Sequence, residues 1–374
     1  MTAPIQFIDL QAQRRRLGEQ LEHSVMDAER GGQWVMGPQV AELEKRLSEF
    51  AGVKHTIACA NGTDALLIVL RAWEIGPGDA VFVPTFTFAA SAEVVALVGA
   101  TPVFVDVLED TYNMDPASLE SAIATVKREG RLKPRAVMPV DLFGQTADYR
   151  VIEPLCKREG LKMLCDAAQG FGALLDGRRA GGIGDAASTS FFPAKPLGCY
   201  GDGGATFTND DGLAETLRSI RVHGQGSDKY ENVRIGVNSR LDTIQAAILI
   251  EKLKAFPEEI ELRETVAQRY SKAFRASNRI VAPRVIEGGR STWAQYTIQV
   301  PDRAKLQADL KAKGIPTAVY YPIPLSSQKG YKHFPSAPTP VSDRICKTVI
   351  SLPMHPDLDI ATQDRIIEAV LAAV

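Results

Sequence analysis

The sequence predicts an α/β fold: a mostly parallel central sheet covered by helices on both faces, joined to a smaller α+β domain. Two patterns lead there. Between residues 55 and 205, short apolar runs alternate with helical stretches. Strands that are apolar along their whole length are those buried on both faces of a parallel sheet. Later in the chain, strands and helices mix without that rhythm, as in an α+β unit. A length of 374 residues also exceeds one ordinary core. The expected division is a large domain over 1–250, with an N-terminal arm, and a small domain over 251–374.

The elements follow in order. Residues 55–60 read as a strand, and 63–73 as a helix opened by Asn61-Gly62-Thr63-Asp64. Further strands are expected at 80–84, 101–106, 136–140 and 162–166. Residues 241–274 read as a long helix interrupted at Pro257, bridging the domains. A strand at 293–300, a helix at 303–313, a strand at 317–321 and a helix at 361–374 complete the chain. There is no internal repeat or low-complexity segment. In parallel sheets, ligands collect beyond the carboxyl ends of the strands. Asp106, Asp141 and Asp166 fall there, although a turn or helix cap explains Asp106 and Asp141 equally well.

Composition narrows the function. Apolar residues make up 45% and charged residues 24%, as in soluble globular proteins. A net charge of -2 gives no field for nucleic acid or for an anionic membrane. No apolar run is long enough to span a bilayer, and the first ten residues lack the order of a signal peptide. Arg14, Arg15 and Arg16 fit a solvated helix face. Five cysteines without CxxC spacing point to reduced thiols in a cytoplasmic protein. The five histidines show no metal-ligand spacing, so no metal is expected.

The most informative stretch is Ser190-Phe-Phe-Pro-Ala-Lys195-Pro-Leu-Gly-Cys-Tyr-Gly-Asp-Gly-Gly204. It sets one lysine among prolines, aromatics and glycines, where the backbone can approach something bulky. A lysine in a tight, partly desolvated pocket has a lowered pKa and condenses with an aldehyde. A loop lysine between two strands is the plainer alternative. Other residues supply what pyridoxal 5′-phosphate (PLP) needs besides a lysine. Asp166 ends an apolar strand, where a buried carboxylate requires a cation such as a protonated pyridine nitrogen. Gln169 would donate to the ring's phenolic oxygen. Asn61-Gly62-Thr63-Asp64 opens a helix whose N–H groups suit a phosphate, or forms an ordinary cap. Ser190 would add a hydroxyl to the phosphate. Phe88 would stack on the ring, or belong to the core. Asn238 and Arg240 precede an apolar helix, as a cap and a surface residue or as an amide for phosphate and a guanidinium for a substrate anion.

The ordered set resembles the DegT/StrS-type nucleotide-sugar aminotransferases over nearly the whole chain. It runs through Phe7-Ile-Asp-Leu10, Phe-Ala-Gly-Val around residue 51, Asn61-Gly-Thr-Asp64, Pro84-Thr-Phe-Thr-Phe88, Asp166-Ala-Ala-Gln169 and Ser190-Phe-Phe-Pro-Ala-Lys195. It continues through Gly201-Asp-Gly-Gly204, Arg221-Val-His-Gly224, Gly236-Val-Asn-Ser-Arg-Leu-Asp242, Tyr321-Pro-Ile-Pro-Leu325 and Ser351-Leu-Pro-Met354. The resemblance implies PLP-transferase fold type I, as in aspartate aminotransferase, with residues 1–250 binding the cofactor. It implies Lys195 as the Schiff-base lysine and proton shuttle, Asp166 on the pyridine nitrogen and Gln169 on the phenolic oxygen. Phe88 would lie over the ring, and Gly62, Thr63 and Ser190 would hold the phosphate. Asn238 and Arg240 would act on the neighbouring subunit's site, making the working unit a homodimer with shared active sites.

Within that family, the segments around Lys195 and Asn238 and the run Ala318-Val-Tyr-Tyr-Pro-Ile-Pro324 are most similar to a particular group. Its members aminate carbon 3 of UDP-2-acetamido-2-deoxy-3-keto-glucuronic acid with L-glutamate as donor. Arg240 would meet the sugar carboxylate, and Tyr320 and Tyr321 would line the substrate site. Relatives commonly carry histidine where this chain has Tyr320, so a dTDP-3-keto-6-deoxyhexose or a 4-keto nucleotide sugar is a competing substrate. A PLP-dependent sugar dehydratase would replace the Schiff-base lysine with histidine, and Lys195 is present. A non-catalytic regulator sensing a sugar nucleotide would not require that lysine. The family's usual setting implies cell-surface polysaccharide assembly, including O-antigen.

Overall fold

In the computed structural model, which describes residues 4–228 and 230–374, the apolar runs of the first half become one sheet. Met1–Ala3, at the start of the stretch read above for a signal peptide, lie outside the described residues. The strands are β1 (His55–Cys59), β2 (Asp79–Pro84), β3 (Thr101–Val105), β4 (Lys133–Val137) and β5 (Lys162–Asp166). A short hairpin of β6 (Leu174–Leu175) and β7 (Arg178–Arg179) precedes β8 (Ala186–Ser190) and β9 (Gly204–Thr208). Seven of them form a sheet in the order β1-β9-β8-β5-β4-β2-β3. The run from β8 to β3 is parallel throughout, and β9 alone is antiparallel to both neighbours.

Side chains alternate along each strand, and both faces are covered. Ala58, Phe82, Val103, Val137 and Phe207 meet the helices Pro38–Ala51, Pro116–Glu129 and Tyr149–Glu159 and the first half of Thr243–Phe274. Ile57, Val81, Val83, Phe104 and Leu164 meet Gly62–Ala72, Ala90–Leu97 and Asp211–Arg221. This is the doubly covered parallel architecture that continuous apolar strands require.

The helix Thr243–Phe274 runs through Pro257 without a break, contrary to the expected interruption. Pro257 forfeits one backbone bond, but Phe256 and Ile260 are buried against the sheet on either side of it. Further along, Val266, Ala267, Tyr270 and Phe274 enter a separate core. That core contains β11 (Tyr296–Gln299) and β12 (Val349–Leu352), with the helices Arg303–Ala312 and Ile360–Ala373; β10 (Gly289–Arg290) instead pairs with β6. The strand expected at 317–321 shrinks to a single bridge between Ala318 and Ser351. Val319, Tyr320 and Tyr321 instead pack onto the aromatic cluster around Phe86, which draws the segment away from the small sheet. All five cysteines are buried and unpaired. Among the described residues, no helix is long and apolar enough to cross a membrane.

Candidate active site

β5 ends on Asp166, whose side chain is buried. Two donors meet its carboxylate: the Ser91 hydroxyl at 3.0 Å and the Ala168 N–H at 3.1 Å. Ser91 lies 3.2 Å from the Thr87 hydroxyl, so the segment after β2 is tied to the end of β5. Burial pushes the Asp166 carboxyl up, against the Ala168 N–H, the Ser91 hydroxyl and the charge of Lys195. A buried carboxylate with so few partners is undercompensated, and a cation placed beside it would relieve that cost.

The other two strand-end aspartates do different work. Asp106 accepts from the Val341 and Ser342 N–H groups and the Ser342 hydroxyl, and so caps the helix Pro340–Thr348. Asp141 accepts from the Tyr149 hydroxyl at 2.6 Å and the Ala147 N–H at 3.0 Å, and burial pushes it up to about 7. Its own N–H donates to the Asp166 carbonyl at 2.9 Å, which fixes the strand end from below.

Gln169 is buried one turn beyond Asp166. Its Oε1 accepts from the Phe143 N–H at 2.9 Å, which fixes the amide so that Nε2 donates to the Tyr321 hydroxyl at 3.2 Å. The Tyr321 ring packs edge-on against Phe86, and burial raises its phenol. Lys195 lies half-buried in the turn between β8 and β9, its N–H donating to the Phe192 carbonyl at 2.8 Å. Burial lowers the amine, with the Asp166 charge opposing. A lowered amine is neutral more of the time and therefore the better nucleophile.

The helix Gly62–Ala72 starts beside this pair. Asn61 caps it, with Oδ1 accepting from the Asp64 N–H at 2.8 Å. The N–H groups of Gly62 and Thr63 have no intrahelical acceptor, and the helix dipole adds positive potential there. The helix start is pressed onto the end of β8: a Cβ on Gly62 would stand 2.6 Å from the Ser190 Cβ. Gly204 pairs with Ser190 across the sheet, and a Cβ there would stand 2.3 Å from the Asn61 carbonyl oxygen. The Ser190 hydroxyl accepts from the Phe192 N–H at 3.3 Å and keeps its own proton to donate. An anion cradle, an amine and a buried carboxylate thus meet at the carboxyl ends of β1, β5 and β8. They fit a phosphorylated aldehyde that carries a basic ring nitrogen.

The remaining expected residues stand apart. Phe88 is 57% exposed after β2, so its ring is open to cover a ligand. Asn238 is exposed and Arg240 half-buried, on a segment pinned by the Ser239 hydroxyl accepting from the Ala60 N–H at 3.1 Å. Neither is bonded to Asp166, Gln169 or Lys195 within the chain. Tyr320 is half-buried beside Tyr321 and Phe7. The sequence reading missed Thr87, Ser91, Phe143 and Thr292, whose hydroxyl donates to the Gln169 carbonyl at 3.3 Å. A serine early in an apolar helix carries no mark of a partner 75 positions away.

Known proteins share this arrangement of the whole chain. The profile of the DegT/DnrJ/EryC1/StrS aminotransferase family matches residues 15–371. The UDP-2-acetamido-2-deoxy-3-oxo-D-glucuronate aminotransferase of Pseudomonas aeruginosa is 49% identical over 96% of this chain and 97% of its own. A crystal structure of a DegT/DnrJ/EryC1/StrS aminotransferase from Brucella abortus superposes with a TM-score of 0.97 at 53% identity, covering 98% of this chain and 99% of that one. NtdA from Bacillus subtilis, solved with bound cofactor PMP, superposes with a TM-score of 0.90 at 29% identity, covering 100% of this chain and 86% of that one. The match in sequence and in shape over nearly every element means that the chain belongs to the DegT/DnrJ/EryC1/StrS aminotransferase family.

Proposed function

We propose that this chain moves an amino group from L-glutamate to carbon 3 of UDP-2-acetamido-2-deoxy-3-keto-glucuronic acid, with PLP as cofactor. The reaction runs in two halves: glutamate enters and 2-oxoglutarate leaves, then the keto-sugar enters and the aminosugar leaves. The observation that carries this reading is the meeting of Lys195, Asp166 and the Gly62–Ser190 cradle at neighbouring strand ends.

Bound there, PLP supplies an aldehyde carbon joined to an electron-withdrawing ring. Asp166 would keep the ring nitrogen protonated, and the opposite charge would offset the cost of burying its carboxylate. The Lys195 amine would hold the cofactor through its aldehyde carbon and, once free, would take the proton from the glutamate α-carbon and pass it on to the cofactor. Gln169, its amide oriented by the Phe143 N–H, would donate to the phenolic oxygen. The Gly62 and Thr63 N–H groups and the Ser190 hydroxyl bind the phosphate. Phe88 would cover the ring face.

Asn238 and Arg240 serve the site of a second copy in a homodimer. Their separation from Lys195 in their own chain supports this. So does the exposed apolar run Trp34-Val35-Met36, where Val35 pairs with Asp242 beside them. Arg240 then offers a bidentate partner to the sugar carboxylate. Tyr320 and Tyr321 border the sugar. Because Tyr320 is a neutral phenol, a neutral dTDP-3-keto-6-deoxyhexose is the second reading. The division of the chain at residue 250 belongs to this proposal, supported by the separate core around Tyr270 and Tyr296, as does a cytoplasmic role in O-antigen or related polysaccharide synthesis.

A mass-spectrometric screen of amine transfer from glutamate to 3-keto and 4-keto nucleotide sugars tests the proposal. The UDP-linked 3-keto-uronate is expected to be the best acceptor, and Arg240→Ala to slow it at least about tenfold more than a neutral hexose. Transfer to 4-keto sugars alone, or equal losses on both acceptors, would refute the assignment.

A further inference from the structure

The helix Thr243–Phe274 carries a lysine that stands outside the candidate active site. Lys252 is 1% exposed. A lysine so deep in a protein ordinarily faces a carboxylate, yet among the described residues no acidic group lies within ion-pair distance of its Nζ. The ammonium instead donates to the Gly198 carbonyl at 2.6 Å and stands 4.4 Å from the centre of the Tyr200 ring.

Gly198 lies three residues beyond Lys195, in a turn whose other bonds are closely specified. The Cys199 N–H donates to the Phe191 carbonyl at 2.8 Å, and the Cys199 thiol to the Phe191 and Gly201 carbonyls at 3.1 and 3.2 Å. A Cβ on Gly198 would stand 2.5 Å from the Pro193 carbonyl oxygen and 2.6 Å from that of Phe192, so the chain doubles back tightly on itself. The far side of the turn is held by Lys252 and by Gln245, whose Oε1 accepts from the Tyr200 N–H at 2.8 Å. Burial pulls the Lys252 ammonium down to about 8, with Glu259 and Cys199 opposing. A methionine would fill the same space without that cost, so packing alone gives no reason for an amine here.

We propose that Lys252 is a positioning residue for the proposed cofactor lysine: by binding the Gly198 carbonyl and the Tyr200 ring, it holds the 196–200 turn so that the Lys195 amine stays directed at the end of β5. This inference rests on the reading of Lys195 given above. The long helix thereby sets the geometry of the reacting amine without touching it.

Three variants test it: K252M, K252R and Y200L. Hydrogen exchange of the amides at 198–201 is followed in the unloaded protein, and kcat and KM for the glutamate half-reaction in the loaded enzyme. K252M is expected to speed exchange at 198–201 about tenfold or more while β5 and β8 stay protected. It is also expected to lower kcat about tenfold with KM for glutamate within about twofold. K252R restores both to within about threefold, because a guanidinium still donates to the carbonyl. Should K252M not fold, Y200L carries the test, with exchange at 198–201 expected to rise at least about threefold. Wild-type exchange and kcat in K252M overturn the positioning role, as does a K252R defect equal to that of K252M, or unchanged exchange in Y200L. A wild type that takes no borohydride label on Lys195 refutes the cofactor reading itself, an outcome separate from any of these.

Discussion

Replacing Gly62 with alanine puts a methyl group in place of a hydrogen where the helix Gly62–Ala72 meets the end of β8. The new Cβ would stand 2.6 Å from the Ser190 Cβ and 3.1 Å from its Cα and Oγ. Carbon atoms rest at roughly 3.5–4.0 Å, so the two elements must separate by about 1 Å. Neither yields easily, since Ser190 is paired with Gly204 and a Cβ on Gly204 would already collide with the Asn61 carbonyl. Overpacking of this kind costs about 1–3 kcal/mol, and the helix preference of alanine over glycine returns about 1 kcal/mol. Global stability should therefore fall by no more than about 2 kcal/mol. The larger effect is local. The displacement moves the Gly62 and Thr63 N–H groups away from the Ser190 hydroxyl, and each charge-assisted bond lost to the phosphate is worth about 1.5–3 kcal/mol. We expect the Kd for PLP, measured by absorbance titration of the unloaded protein, to rise about ten- to hundredfold. Adding Ser190→Gly removes the atom that is struck and should recover part of the lost stability, but not the PLP affinity, because the Ser190 hydroxyl goes with it. A Gly62→Ala variant that binds PLP within twofold of the wild type, with an unchanged melting curve, would refute the idea of a closely fitted anion cradle.

Two further outcomes follow from buried groups. Ser91→Ala removes one of the two donors on Asp166 and should lower the unfolding free energy of the unloaded protein by about 1–3 kcal/mol in urea titrations; an unchanged midpoint would mean that Ser91 does not hold the carboxylate. Burial, aided by Arg263 and opposed by Asp9, Asp357 and Asp359, pulls His355 down to about 4. A folded value below that of the unfolded chain means that stability present above about pH 6.5 is lost as pH falls through about 4, by roughly 2–3 kcal/mol at pH 4.5. His355→Gln should flatten that dependence, and an identical pH profile in the variant would assign the loss to other groups.

Strands β1 to β5 and Asp166 at the end of β5 were legible in the sequence because burial on both faces leaves an apolar run, whereas β8, built of alanine, serine and threonine, and β9 carry no such run and were not read. Asp166 stands out as a charge at the end of such a run, and Lys195 as a charge among glycines and aromatics. What surrounds them was not legible. The hydroxyl of Ser91 reaches Asp166 only because the helix Ala90–Leu97 lies over the end of β5, a fact of tertiary packing with no local signature. The same limit explains Pro257, where the proline's usual effect on a helix is overridden by burial of its neighbours. It explains residues 317–321 as well, where a β-prone run gives up its strand to carry Tyr321 to Gln169. Asp106 shows the converse: a strand-end carboxylate spent on capping a distant helix.

The proposed chemistry depends on which amine carries the cofactor. Protein loaded with PLP, reduced with borohydride, digested and sequenced by mass spectrometry gives the answer directly. One reduced pyridoxyl group per chain is expected, on Lys195, and none in Lys195→Ala, which should still fold and melt like the wild type. A label on Lys252 or on any other lysine, or a wild type that retains no label, would contradict it.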